Sequence, residues 1–208
     1  MIINNKKICI LDYGSGNVNS VFNILEYLNY KAIISSEKNV IDESTHLILP
    51  GVGTYNNTMN KLKEKIDIDF LLNQVLNKKK PFLGICVGMQ ILSDIGYENE
   101  TCKGLGWIKG SVKILNAKKF NLPHIGWNNI EIKKNSLLFK NINEENNFYF
   151  LHSYIFDSTL IENIISTTTY GESFCSAIEK DNIFGVQFHP EKSQKDGMLI
   201  LNNFVKIE

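Results

Sequence analysis

Over the first half of the chain, apolar residues alternate between two patterns. Ile8-Cys9-Ile10-Leu11 is an unbroken apolar run, the form of a strand buried on both faces. A polar, glycine-rich turn follows, Asp12-Tyr13-Gly14-Ser15-Gly16-Asn17. Val18, Val21, Phe22, Leu25 and Leu28 then recur at the spacing of one helix face. Lys31 to Ser35 predicts a second strand, and His46-Leu47-Ile48-Leu49 a third, which Pro50-Gly51-Val52-Gly53 stops. Thr54 to Lys78 predicts one or two helices with polar outer faces. Pro81-Phe82-Leu83-Gly84-Ile85 predicts a fourth strand that runs into Cys86, and helical spacing resumes through Met89, Ile91 and Leu92.

Strand and helix alternating in units of roughly 30 residues predict an α/β fold, with a mostly parallel central sheet and helices on both faces. Such sheets bind ligands at the carboxyl ends of their strands. Gly51 to Gly53 and Cys86 both fall at such ends. The second half has a different texture. Gly104 to Leu115, Ile125 to Ile132, Phe148 to Asp157, Ile164 to Tyr170, Cys175 to Glu179 and Ile183 to Phe188 are strand-like runs separated by turns. They predict an antiparallel β extension of the same sheet. Met198 to Val205 predicts a closing helix, and Asn141 to Asn147 an exposed loop. With no repeat and no low-complexity linker, residues 1–208 read as a single domain.

The composition is that of an ordinary globular protein, 43% hydrophobic and 21% charged, with formal net charge +0. All 22 basic residues are lysine. Without a basic surplus or an arginine fork, nucleic acid is excluded as an expected partner. A phosphorylated substrate held by this chain alone is disfavoured for the same reason. Cys9, Cys86, Cys102 and Cys175 form no CxxC pair and have no zinc-site spacing, and neither a metal nor an organic cofactor is expected. No apolar run approaches about 18 residues and no charged-then-apolar leader is seen, so the expectation is a cytoplasmic protein without a membrane span.

The sharpest chemical signal is Gly84-Ile85-Cys86-Val87-Gly88, a G-x-C-x-G motif between a strand and a helix. Its serine form is a nucleophile elbow, a tight turn that lifts the reactive side chain out of the sheet. A cysteine at a helix N-terminus also gains from the helix dipole, which favours thiolate. A thiol needs a base, and the base needs an orienting group. Among the four histidines, His189 lies at a predicted strand end in Gln187-Phe188-His189-Pro190-Glu191, with Glu191 two residues on. His46 reads as a surface or strand-edge residue, His124 as part of a turn and His152 as one position of an aromatic strand. Pro50-Gly51-Val52-Gly53 can turn backbone N–H groups toward an anion, and the Val87 N–H is the natural second donor. Each such donor to a developing oxyanion is worth roughly 2.7–4 kcal/mol.

Together, Pro50 to Gly53, Gly84-Ile85-Cys86-Val87-Gly88-Met89-Gln90 and Gln187 to Glu191 resemble the class I glutamine amidotransferases, over nearly the whole chain. Within that family, the segments Asp12 to Asn17, Gly104-Leu105-Gly106, Pro123 to Asn128 and Tyr149 to Tyr154 are similar to the glutaminase subunits of imidazole glycerol phosphate synthases. The resemblance implies a Cys86, His189, Glu191 triad that releases ammonia from L-glutamine. It implies glutamine contacts at Gly53, Gln90 and Glu98, with Glu100 an alternative to Glu98, and an oxyanion hole at Val52 and Val87. It also implies a (β/α)8-barrel cyclase partner in a heterodimer, docked near Asn17, Tyr149 and Lys192, making imidazole glycerol phosphate and AICAR for histidine. The segment Ser93 to Glu100 departs from the pattern, lacking the acidic run usual there. Three alternatives stay open: the same chemistry serving a sugar-modifying amidotransferase, a stand-alone γ-glutamyl hydrolase, and a non-catalytic binding subunit.

Overall fold

The structure, a computed structural model, describes residues 6–208. The first half follows the alternation: β1 (Lys7–Leu11), α1 (Val18–Tyr27), β2 (Lys31–Ser35), α2 (Lys38–Glu43), β3 (His46–Gly51), α3 (Tyr55–Lys65), α4 (Ile68–Leu72), β4 (Phe82–Cys86) and α5 (Val87–Gln90). A π-helical turn, Asn73–Asn77, extends α4. The second half is mostly strand: β5 (Ile95–Gly96), β6 (Cys102–Lys103), β7 (Gly110–Ile114), β8 (His124–Asn129), β9 (Glu131–Ile132), β10 (Asn147–His152), β11 (Tyr154–Ser158), β12 (Ile164–Tyr170), β13 (Glu172–Lys180) and β14 (Ile183–Val186). Helix α6 (Gln194–Val205) follows.

The central sheet has eight strands in the order β2-β1-β3-β4-β14-β13-β12-β9. From β2 to β14 the pairs are parallel, and from β14 to β9 antiparallel. Alternation along the inner strands explains why both faces are covered. Ile8, Ile10, Ile48, Leu83 and Ile85 enter one core with Val21 and Leu25 of α1 and Leu201 and Phe204 of α6. Cys9, Leu11, Leu47, Leu49 and Phe82 enter another with Tyr55, Met59 and Leu62 of α3. A strand buried on both faces must be apolar throughout, which is the pattern of these segments. Among the described residues, no helix is long and apolar enough to cross a membrane.

Five expectations change. Phe148 to Asp157 is two strands that part at Ser153: β10 pairs with β8, and β11 with β7 in a separate four-stranded sheet, β11-β7-β5-β6. The helix after Cys86 stops at Gln90, because the Ile91 and Leu92 carbonyls accept from the N–H groups of Leu105, Trp107 and Ile108. That same loop takes up the first part of the strand expected from Gly104. His46 is not a surface residue; it is buried, with Nε2–H donating to the Ile207 carbonyl at 3.0 Å and its ring edge-on to Phe204. His124 is not in a turn; it is a buried member of β8, stacked between Phe150 and Tyr170.

Candidate active site

The site forms where β3, β4 and β14 end side by side. Cys86 is the last residue of β4 and takes φ +55°, ψ −114°, a left-handed conformation that non-glycine residues adopt only when their surroundings enforce it. The flanking glycines make the bend possible. A Cβ on Gly84 would lie 2.5 Å from the Gly88 carbonyl oxygen, and one on Gly88 only 2.1 Å from that of Leu49. The elbow is thus packed backbone to backbone against β3.

β14 runs parallel to β4 with Val186 opposite Ile85, and the chain beyond it brings His189 alongside Cys86. A short 3-10 turn, Pro190–Lys192, then folds Glu191 back toward the ring. The His189 Nδ1–H donates to Glu191 Oε1 at 2.8 Å, and both side chains are almost fully buried. That bond leaves Nε2 for the sulfur. Burial alone would lower the histidine's proton affinity. The Cys86 sulfur, by charge and hydrogen bond, and then the Glu191 carboxylate outweigh it, leaving the pKa raised to about 10. A sulfur–imidazolium pair held by a carboxylate can attack a carbonyl carbon and protonate a leaving amine.

Cys86, Val87, Gln90, Val52, Gly53, Glu98 and His189 all line one cavity of about 210 Å³. That is below the span of drug-sized ligand pockets and suits a small metabolite. Glu191 stands behind His189. Glu98 accepts from the Tyr55 N–H at 2.7 Å, at the start of α3, while presenting to the cavity. Glu100 instead accepts from the Asn56 side-chain amide at 2.7 Å and is not among the lining residues. Gln90 is buried, its Nε2 donating to the Tyr154 carbonyl at 2.8 Å and to Gln187 Oε1 at 3.0 Å.

The loop Pro50 to Gly53 is braced by the turn after β1. Tyr13 Oη–H donates to the Pro50 carbonyl, and Ser15 Oγ–H to that of Val52, each at 3.1 Å. Gly53 has φ +106°. Sequence reasoning missed this bracing. It also missed the far wall of the cavity, where Pro123, Leu151, His152, Ser153 and Tyr154 close over the triad. The available signal was the resemblance carried by the segments Pro123 to Asn128 and Tyr149 to Tyr154, which does not by itself mark them as cavity wall.

Asn17, Tyr149 and Lys192 lie outside this cavity. Asn17 precedes α1 and accepts from Ser20 Oγ at 2.7 Å. α1 packs on the Pro190–Lys192 turn. Lys192 Nζ sits 5.6 Å from the centre of the Tyr149 ring, whose cross-strand neighbour Trp127 is 49% exposed. Ile125, two residues before Trp127 on the same side of β8, is also exposed, so this face is apolar and open.

The profile of the family described as glutamine amidotransferase class-I matches residues 9–207. The chain is 45% identical over 200 residues to the imidazole glycerol phosphate synthase subunit HisH 2 of Methanococcus maripaludis, covering 96% of this chain and 98% of that one. It is 43% identical to the corresponding HisH subunit of Pelagibacter ubique, covering 96% and 99%. It is 41% identical to HisH 1 of Campylobacter jejuni, covering 96% and 100%. Among solved structures it is similar to PurLQS from Thermotoga maritima, with a TM-score of 0.74 at 20% identity, covering 96% and 97%. A glutamine amidotransferase from Thermotoga maritima superposes with a TM-score of 0.64 at 18% identity, covering 90% and 76%, a likeness of fold.

Proposed function

The chain belongs to the class-I glutamine amidotransferase family, and from that premise we propose that it is the glutaminase subunit of an imidazole glycerol phosphate synthase. The observation that carries the reading is the meeting of Cys86, on its strained elbow, with the carboxylate-bound His189 in one small cavity.

Cys86 attacks the side-chain amide carbon of glutamine. The oxyanion is met by backbone N–H groups of Val87 and of the Val52–Gly53 segment. His189, protonated at neutral pH, gives its proton to the departing ammonia. The timing follows from what raises its pKa. The sulfur's charge is the leading upward cause, and forming the C–S bond removes it, so the ring, still bound to Glu191, holds its proton less tightly as ammonia departs. The neutral ring then draws a proton from the water that hydrolyses the thioester. Glu191 keeps the ring in the required tautomer throughout. Gln90, Gly53 and Glu98 hold the amino-acid portion of glutamine; the place of Glu98, and not Glu100, among the lining residues supports Glu98 in that role.

Ammonia passes to a cyclase subunit that makes imidazole glycerol phosphate and AICAR in histidine biosynthesis. The relatives' names support this destination. We take the partner to be a (β/α)8 barrel docked on Asn17, Tyr149 and Lys192 in a heterodimer, and the phosphorylated substrate to be bound there, in keeping with a chain that has no arginine. The family match over residues 9–207 supports a single domain, and free cysteines support a cytoplasmic setting.

The test is Cys86→Ala assayed with the partner. Glutamine-driven synthesis is lost while synthesis from an added ammonium salt persists. Equal survival of both would remove Cys86 from the chemistry.

A further inference from the structure

Gln187 stands two residues before His189, and none of its surface reaches solvent. Its side-chain nitrogen lies 3.6 Å from the Cys86 sulfur. Its neighbours decide which amide end faces that sulfur. The Tyr154 carbonyl can only accept, so the Gln90 atom 2.8 Å from it is nitrogen. The same nitrogen meets Gln187 at 3.0 Å, so that end of Gln187 is oxygen. The N–H end of Gln187 is therefore turned to the sulfur.

The chain of bonds continues beyond Tyr154 with the same logic. His152 Nδ1–H donates to the Tyr154 carbonyl at 3.0 Å, leaving its Nε2 to accept from His124 Nδ1–H at 3.1 Å. Burial lowers the pKa of both rings, to about 3 for His152 and about 4 for His124, so both are neutral near pH 7 and these tautomers persist. Sequence motifs treat Gln187 as part of the frame around His189. The fold instead gives it the sulfur as a partner.

Besides the His189 ring and Gln187, the Leu151 carbonyl lies 3.9 Å from the sulfur. That oxygen accepts from a thiol and repels a thiolate. Gln187 supplies a second donor, beside the His189 N–H, to offset that repulsion. We infer that Gln187 is a further catalytic residue, donating its Nε2–H to the Cys86 sulfur and holding it as an aimed thiolate before attack. No proton is transferred; the hydrogen bond is strongest on the anion and weakens as the sulfur's electron pair goes into the new C–S bond. The inference rests on Cys86 being the nucleophile.

The experiment compares the full chain with Gln187→Leu and Gln187→Met, neither of which can donate. Iodoacetamide alkylation of Cys86 is followed by peptide mass at neutral and at strongly alkaline pH. Glutamine turnover is measured with the partner subunit bound. Expected is alkylation slowed about tenfold at neutral pH and unchanged at alkaline pH, with kcat down by a like factor and KM within about twofold. Should the leucine variant fail to fold, the methionine variant, flexible and of similar length, gives the same readings. Parent-like alkylation at neutral pH overturns the inference. Equal slowing at both pH values also overturns it, because that marks lost access to the sulfur and not a lost donor. Failure of the nucleophile assignment has its own readout, undiminished glutamine hydrolysis by Cys86→Ala.

Discussion

The backbone N–H of His189 donates to the carbonyl of Tyr149 at 2.8 Å. Ser193 closes the same unit, its hydroxyl accepting from the Tyr149 N–H at 3.0 Å and donating to the His189 carbonyl at 2.6 Å. The imidazole and the strand with an open aromatic face are therefore one hydrogen-bonded body. A load on Tyr149 reaches His189 through backbone. Ser193→Ala leaves the part-buried Tyr149 N–H without this partner, while the His189 carbonyl keeps the Lys192 N–H, at a cost of about 1–3 kcal/mol. Turnover should fall about tenfold with KM for glutamine little changed, since the cavity lining is untouched. Urea unfolding and steady-state kinetics check both parts.

Glu191 acts on the ring and not on glutamine. Glu191→Gln keeps the shape but lets the imidazole take the wrong tautomer. The expected loss in kcat is about 10²–10⁴-fold, the range seen when the orienting carboxylate of a triad is neutralised. Glutamine binding, measured by calorimetry, should persist. A variant within about threefold of the parent would assign the ring's orientation to its backbone bonds alone.

Stability should fall away from neutrality on both the acid and the alkaline side. His189 keeps its proton up to about pH 10 in the folded chain, against 6.5 when unfolded, so its stabilisation is full below 6.5 and lost as pH rises through about 10. Cys9, raised by burial to about 11, acts in the same direction above pH 9.0. His46 and His124 are lowered by burial to about 4, and His152 to about 3. The unfolded chain protonates these three near 6.5 while the folded chain does not, so their contribution is present above 6.5 and lost as pH falls toward 4. Urea midpoints across this range should decline on both sides. His189→Gln should flatten the alkaline limb and leave the acid limb in place.

What the sequence made legible was local. A strand buried on both faces announces itself as an apolar run, and glycines either side of Cys86 announce a crowded bend; both are where the patterns placed them. The convergence of Cys86, Gln90, Glu98 and His189 on one cavity also follows from strand order. What stayed hidden depends on contacts between distant positions. Ser15 to Val52, Gln187 to Cys86 and His124 to His152 are bonds between adjacent strands or the loops beyond them, joining positions far apart in the chain, with no trace in neighbouring residues. His46 looked exposed because its partner, the Ile207 carbonyl, comes from the far end of the chain. The break at Ser153 was invisible because apolar alternation continues through it while the strand changes sheets.

Trp127 is 49% exposed and edge-on to Tyr149, whose ring Lys192 approaches, and a large exposed aromatic there suits the centre of a docking face. Trp127→Ala should weaken binding to the cyclase subunit by about 2 kcal/mol or more. It should leave the thermal midpoint of the isolated chain nearly unchanged. Titration of the partner by calorimetry gives the first, and thermal unfolding the second. The isolated chain should hydrolyse glutamine slowly, and the partner with its acceptor substrate should raise the rate.

The most direct measurement is to quench the complex during glutamine turnover with acid and locate any γ-glutamyl adduct by peptide mass. The expected result is an adduct on the peptide that carries Cys86, accumulating in His189→Gln if attack still occurs and absent from Cys86→Ala. An adduct on any other residue, or steady turnover by Cys86→Ala, would contradict the thiol as the atom that opens the amide.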